Sequence, residues 1–152
     1  MRAAAVLTTA LALVLAACAA PAASVPGGPG QATNQNDCAV IAAVAKEHYR
    51  FNTTDNVPPP VWLDAAGSDW APRCDWSQYG LSFPSTFDPN TPRGSGDRVQ
   101  WVSFKRPTYS GTGALVETGI LHGPLNGRGG ICRVVSGFAG WTVVSCQDTW
   151  IS

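Results

Sequence analysis

Five cysteines, two histidines and ten acidic side chains are the groups in this chain that could ligate a metal, attack a carbonyl or carry a proton. Zinc sites of the common type need cysteines two to four residues apart with histidines in reach. Cys18, Cys38, Cys74, Cys132 and Cys146 show no such spacing, and neither His48 nor His122 sits in a ligand cluster. No metal and no cofactor is therefore expected. Catalytic triads and phosphate-binding loops need particular residues at particular intervals, and none is present. Gly127-Arg128-Gly129-Gly130 is glycine-rich, but it joins two predicted strands and opens no helix, so it reads as a hairpin turn. Glu117 and His122 are a tempting acid and base, yet at that spacing they point to opposite faces of a regular strand. His48 falls on an apolar helical stripe and reads as a half-buried core residue. Approach of Asp64, Asp69 or Asp75 to either histidine through the tertiary fold stays open. No catalytic residue is assigned, and the chain reads as a binding or structural module more than as an enzyme.

Binding chemistry is better supplied. The chain has six tryptophans, whose faces can stack on sugar rings or grip peptide side chains. Core packing is the ordinary role of each one singly. Trp62, Trp70 and Trp76 lie in a proline-rich region where exposure is expected, so they form the candidate binding patch. Charged residues make up only 13% of the chain and the formal net charge is zero. Lys105-Arg106 is the only adjacent basic pair, so the electrostatic footprint of a nucleic-acid binder is missing.

The amino terminus gives an address. Arg2 precedes an uncharged run, Ala3 to Ala17, that is shorter than the roughly 20 residues of a membrane span. It closes on Leu15-Ala16-Ala17-Cys18, which resembles the lipobox of bacterial lipoproteins. That resemblance implies cleavage before Cys18, acylation of its thiol and new amino group by chains such as palmitate, and a membrane partner reached through lipid. Each buried methylene adds about 0.8 kcal/mol, and more than one chain is needed for a stable anchor. Such lipoproteins normally carry three. Ala19 stands where an aspartate would favour inner-membrane retention, so the expected address is the periplasmic side of the outer membrane if the source is Gram-negative. Residues 1–17 are then a signal peptide. Residues 18–36 are the lipidated cysteine and a tether of Ala, Pro, Gly, Ser and Gln, too poor in apolar residues to order itself. Residues 37–152 are a single domain.

With Cys18 acylated, Cys38, Cys74, Cys132 and Cys146 remain in a compartment where disulfides persist. Two bridges are expected, although sequence permits three pairings. Cys38 is the natural partner of Cys74, fastening a loop to the opening helix. Cys132 facing Cys146 across a hairpin would also set Val134 against Val144 and Ser136 against Thr142, with Gly137 to Trp141 as the turn.

The elements that must position these residues follow from periodicity. Asn36 or Asp37 can cap a long helix from Cys38 to Phe51, with Val40, Ile41, Val44 and Ala45 as its core stripe. Asn52 to Pro60 is a loop, and Val61 to Ala66 reads as a short helix after three prolines. Gln78 to Arg98 is dense in turn formers, with room for a brief strand at Leu81 to Phe83. Arg98 to Lys105 reads as a strand with apolar residues on both faces. Gly113 to His122, Ile131 to Ser136 and Trp141 to Trp150 read as an antiparallel meander. The expected fold is α+β: one long N-terminal helix packed on that meander and stapled by two disulfides.

Gly140-Trp141-Thr142-Val143, before a final strand, resembles the close of small NTF2-like domains. The resemblance covers about the last 40 residues and implies a small-molecule pocket with a hydrolase or isomerase role. The family's cone is usually built with three helices where this chain offers one, and no motif here matches its pocket acid and base. The first expectation is thus a non-catalytic envelope lipoprotein that binds a protein or a glycan, and the alternative is the NTF2-like pocket.

Overall fold

Val, Ile, Thr and aromatic residues concentrate after residue 100, and there the chain forms three long strands that dominate the structure. The computed structural model describes residues 36–62 and 74–152. The strands are β1 (Val61–Trp62), β2 (Thr86–Phe87), β3 (Trp101–Phe104), β4 (Thr108–Ser110), β5 (Gly113–Gly123), β6 (Asn126–Gly137) and β7 (Gly140–Ile151). They form one seven-stranded sheet in the order β2-β1-β3-β5-β6-β7, with β4 also paired to β5. β1 runs parallel to β2 and β3, and the remaining pairings are antiparallel.

The expected long helix is not there. Helix α1 spans only Asp37–Ala43, and a π-helical turn, Val44–His48, ends it. The fold is thus mostly sheet, with one short helix laid across it. The stop has a local cause. Arg50 adopts φ 61°, the left-handed region. Asn52 Oδ1 accepts the backbone N–H groups of Thr54, Asp55 and Asn56, while Asn56 Nδ2 donates to the carbonyls of Tyr49 and Arg50. These side-chain bonds satisfy carbonyls that a continuing helix would have used. The predicted stripe still faces inward: Val40, Ile41, Val44 and Ala45 are fully buried in one cluster with Val102, Val116, Ile120 and Val134.

Three smaller expectations also change. Val61 and Trp62 are extended, because β1 fits between β2 and β3 and the Val102 N–H donates to the Pro60 carbonyl at 3.0 Å. Leu81 to Phe83 is irregular, and the short strand comes later, at Thr86. The glycine run is strand, not turn: Gly127 to Gly130 pair with β5, and the reversal is made around Leu125, at φ 57°. Residues 1–35, to which the expected signal peptide, Cys18 and almost all of the expected tether belong, lie outside the described residues, as does Trp70.

Both bridges staple this frame. Cys38–Cys74 ties α1 to the segment before a 3₁₀ turn at Trp76–Tyr79, and Cys132–Cys146 joins β6 to β7 with Cα atoms 4.0 Å apart. In the chain-entropy picture each bridge stabilises by about 3 to 4 kcal/mol. Cys132 does face Cys146, but the register beyond it differs from a regular hairpin. Val134 pairs with Val143, and Val135 with Thr142, because a bulge at Val144 takes up one residue. A second bulge, at Thr149, sits near the far end of β7. β7 is an edge strand, and Glu47 Oε2 accepts the Val143 N–H at 2.7 Å beside the first bulge.

Pairing fixes which residues share a face. Val102, Thr118, Ile120, Val116, Cys132 and Val134 point to the helix side and are buried. Their neighbours Trp101, Ser103, Gly119, Leu121, Gly129 and Trp150 point the other way.

Candidate aromatic binding face

The outer face of the sheet carries a row of rings set by strand register. Trp62 and Phe87 are directly paired across β1 and β2, and their rings stack with centroids 5.0 Å apart at 19°. Trp101 meets Trp62 edge-on at 4.9 Å. The Arg93 guanidinium lies 3.9 Å over the Phe87 ring, held there by a hydrogen bond from Nη2 to the Asp88 carbonyl. Trp62 and Trp101 remain half-exposed.

Further along the same face, Trp150 rests on two glycines. A Cβ added at Gly119 would come within 2.9 Å of Trp150 Cζ2, and one added at Gly129 would fall on the indole nitrogen. The two glycines are partners across β5 and β6, so together they make a shallow trough for the indole. Trp150 keeps 39% of its surface exposed, and Leu115 and Ile131, on this face too, keep 49% and 41%. An exposed ion pair, Lys105 to Glu117 at 2.8 Å, borders them. The result is a solvent-facing surface of aromatic planes interleaved with polar donors, a chemistry suited to sugars, whose rings have C–H faces and hydroxyl rims.

The predicted patch is divided by the fold. Trp62 is on the outer face, whereas Trp76 is on the helix side, where it packs on Phe83 at 4.8 Å against the core. Trp70 is outside the described residues. Phe87, Trp101 and Trp150 belong to the face and were not predicted for it. For Trp101 the signal was available, since alternation with Val102 and Phe104 puts it opposite the core. For Trp150 it was the glycine pair, once those residues are read as strand.

A second cluster lies on the helix side, where the π turn delivers His48. One imidazole nitrogen and the Sγ atoms of Cys132 and Cys146 all lie within 4.8 Å of one another. The ring packs edge-on against Tyr49 at 4.7 Å. Burial, and then the Arg128 charge, hold the His48 imidazolium below its usual pKa, with Asp148 opposing them. The Tyr49 hydroxyl is pushed up, first by burial. It lies 3.1 Å from Thr118 Oγ1, which itself donates to the Ser103 carbonyl at 2.7 Å, so Tyr49 is the donor of that pair.

Several of the described carboxylates have structural partners. Glu117 is paired with Lys105, and His122 is exposed. Asp75 accepts hydrogen bonds from Ser77 Oγ at 2.5 Å and Gln78 Nε2 at 3.0 Å, and these hold its carboxyl below the usual range. Asp37 is fully buried, accepts from the Tyr109 hydroxyl at 2.6 Å and faces Arg106 at 3.5 Å, which pins the start of α1 to β4. Burial, and then that carboxylate, raise the Tyr109 pKa. Glu47, Glu117, Asp37 and Asp75 are thus engaged in holding the fold, while Asp64 and Asp69 lie outside the described residues. Comparison with protein-family models, with curated proteins and with solved structures finds no match to this chain.

Proposed function

We propose that this chain is a lipid-anchored lipoprotein of the cell envelope, whose folded part is a non-catalytic module that binds glycan chains through the outer face of its sheet. The observation that carries the binding half is the row Phe87, Trp62 and Trp101, with Trp150 on its glycine trough. One face of the sheet is sealed by α1, while the other presents rings to solvent without a catalytic group among them. Aromatic planes held by strand register are ordered before a ligand arrives, which lowers the entropic cost of stacking. The anchoring half rests on Leu15-Ala16-Ala17-Cys18 and the apolar run before it. No helix among the described residues is long and apolar enough to cross a membrane, and on this reading anchorage comes from the acylated cysteine.

Retention on insoluble envelope polysaccharide, with peptidoglycan as the first probe, tests the binding surface. Wild type and Trp76→Ala should be retained alike, and Trp62→Ala and Trp150→Ala should be retained measurably less. Equal retention of all four would overturn the assignment of the face. Intact-mass measurement of membrane-extracted wild type beside Cys18→Ser tests the anchor: the acyl mass should be present in the first and absent in the second.

A further inference from the structure

We infer that reduction of the Cys132–Cys146 bridge converts it, with His48, into a binding site for a thiophilic divalent cation, Zn²⁺ foremost. The two cysteines are too far apart in sequence for a zinc motif. The sheet makes them direct partners, and the π turn brings a half-buried imidazole against them from the opposite layer. Three ligand atoms of the borderline-soft kind that Zn²⁺ prefers, two sulfurs and one nitrogen, therefore converge from three separate elements.

The geometry is close to what the ion needs. Tetrahedral zinc holds sulfur at about 2.3 Å and nitrogen at about 2.0 Å, so neighbouring ligand atoms stand about 3.4 to 3.8 Å apart. The three atoms already lie within 4.8 Å of one another, and side-chain rotation of the freed cysteines supplies the rest. Asp148 is exposed on the same face of β7, next along from Cys146, opposite Gly130, which has no side chain. Its carboxylate or a water would complete the fourth position. Two thiolates balance the charge of the ion. Cys132 is fully buried, which shelters the site from bulk water.

The chemistry balances with a dithiol as reductant. One of its sulfurs attacks the Cys132–Cys146 bond. Two electrons and two protons pass to the two cysteines, and the dithiol leaves as its cyclic disulfide. The cation then displaces the two thiol protons to solvent and takes the lone pair of His48. The bridge and the ion are thus alternative occupants of one place, and the compartment's redox state selects between them.

The test uses the full chain carrying Cys18→Ser, reduced with an immobilised dithiol and titrated anaerobically with Co²⁺, then with Zn²⁺. The expected result is one Co²⁺ per chain with thiolate-to-cobalt charge-transfer absorption, displaced by Zn²⁺, and none in the oxidised chain. His48→Ala should weaken Co²⁺ binding by more than about 10-fold, since loss of even an outer-shell partner commonly costs 10- to 100-fold. Circular dichroism follows the fold throughout. Unchanged Co²⁺ affinity in His48→Ala would overturn the inference, because the other cysteine pair or the thiols alone would then explain the signal. A reduced chain that unfolds with or without Zn²⁺, or one that stays folded and binds no Co²⁺, would overturn it equally.

Discussion

The two faces of the sheet differ in what their side chains are for. On the helix side, Val116, Ile120, Val102 and Val134 meet Ile41 and Val44, all essentially fully buried, with one disulfide at the margin and another inside. On the outer side the strands alternate to glycine, serine and tryptophan, and the indoles of Trp62, Trp101 and Trp150 stay partly in water. The strands of one sheet supply both faces, so period-two alternation separates stability from recognition residue by residue. Substitutions on one side should change the melting temperature, and substitutions on the other should change what is bound.

The largest effect is expected inside. Ile41→Ala should cost about 2 to 5 kcal/mol in denaturant unfolding, the usual range for truncating a fully buried aliphatic side chain, while polysaccharide retention of the folded protein stays as in wild type. Next comes the polar pin of α1. Tyr109→Phe leaves the buried Asp37 carboxylate without its 2.6 Å donor and should cost about 1.5 to 3 kcal/mol. Loss of retention in either folded variant would erase the division between the faces.

On the outer side the effect should move from stability to affinity. Trp150→Ala should weaken glycan binding by about 2- to 10-fold, the equivalent of about 0.5 to 1.5 kcal/mol for one aromatic contact, with a smaller stability change than Ile41→Ala. Gly129→Ala sharpens the comparison, because it keeps the indole but fills its seat. Its added methyl should tilt Trp150, shift the tryptophan emission and lower affinity less than removal of the ring does. The smallest effect concerns pH. His48 binds its proton less readily folded than unfolded, so the unfolded chain takes up more protons as pH falls below about 6.5. Its contribution is present above that value and is lost on going down toward the folded pKa. The melting temperature should therefore decline modestly from about pH 7 to about pH 5, and His48→Gln should flatten that part of the profile.

Much of this architecture could be read from the sequence where local chemistry and tertiary packing agree. β5, β6 and β7 announced themselves through β-branched residues, and Val40, Ile41, Val44 and Ala45 through helical spacing. Disagreement arose where a residue's role is set by a distant partner. Gly127 to Gly130 look like turn chemistry, yet Gly129 lies in a strand, where its missing side chain leaves room for Trp150. The helix ends early through Asn52 and Asn56, whose side chains lie beyond its expected last residue. The aromatic face was legible only in part. Trp62 was singled out, but its company is set by pairing with Phe87 and by contact with Trp101, which no local pattern encodes.

The irregularity of β7 bears on how copies of this protein tolerate crowding. A twelve-residue strand at the rim of a sheet offers a run of unpaired amides and carbonyls on which a second molecule could zip. Here the bulges at Val144 and Thr149 put that run out of step, and the Glu47 carboxylate occupies the Val143 amide. A regular strand of equal length would favour rim-to-rim polymers at high local concentration. The broken one keeps molecules apart while leaving their broad faces free.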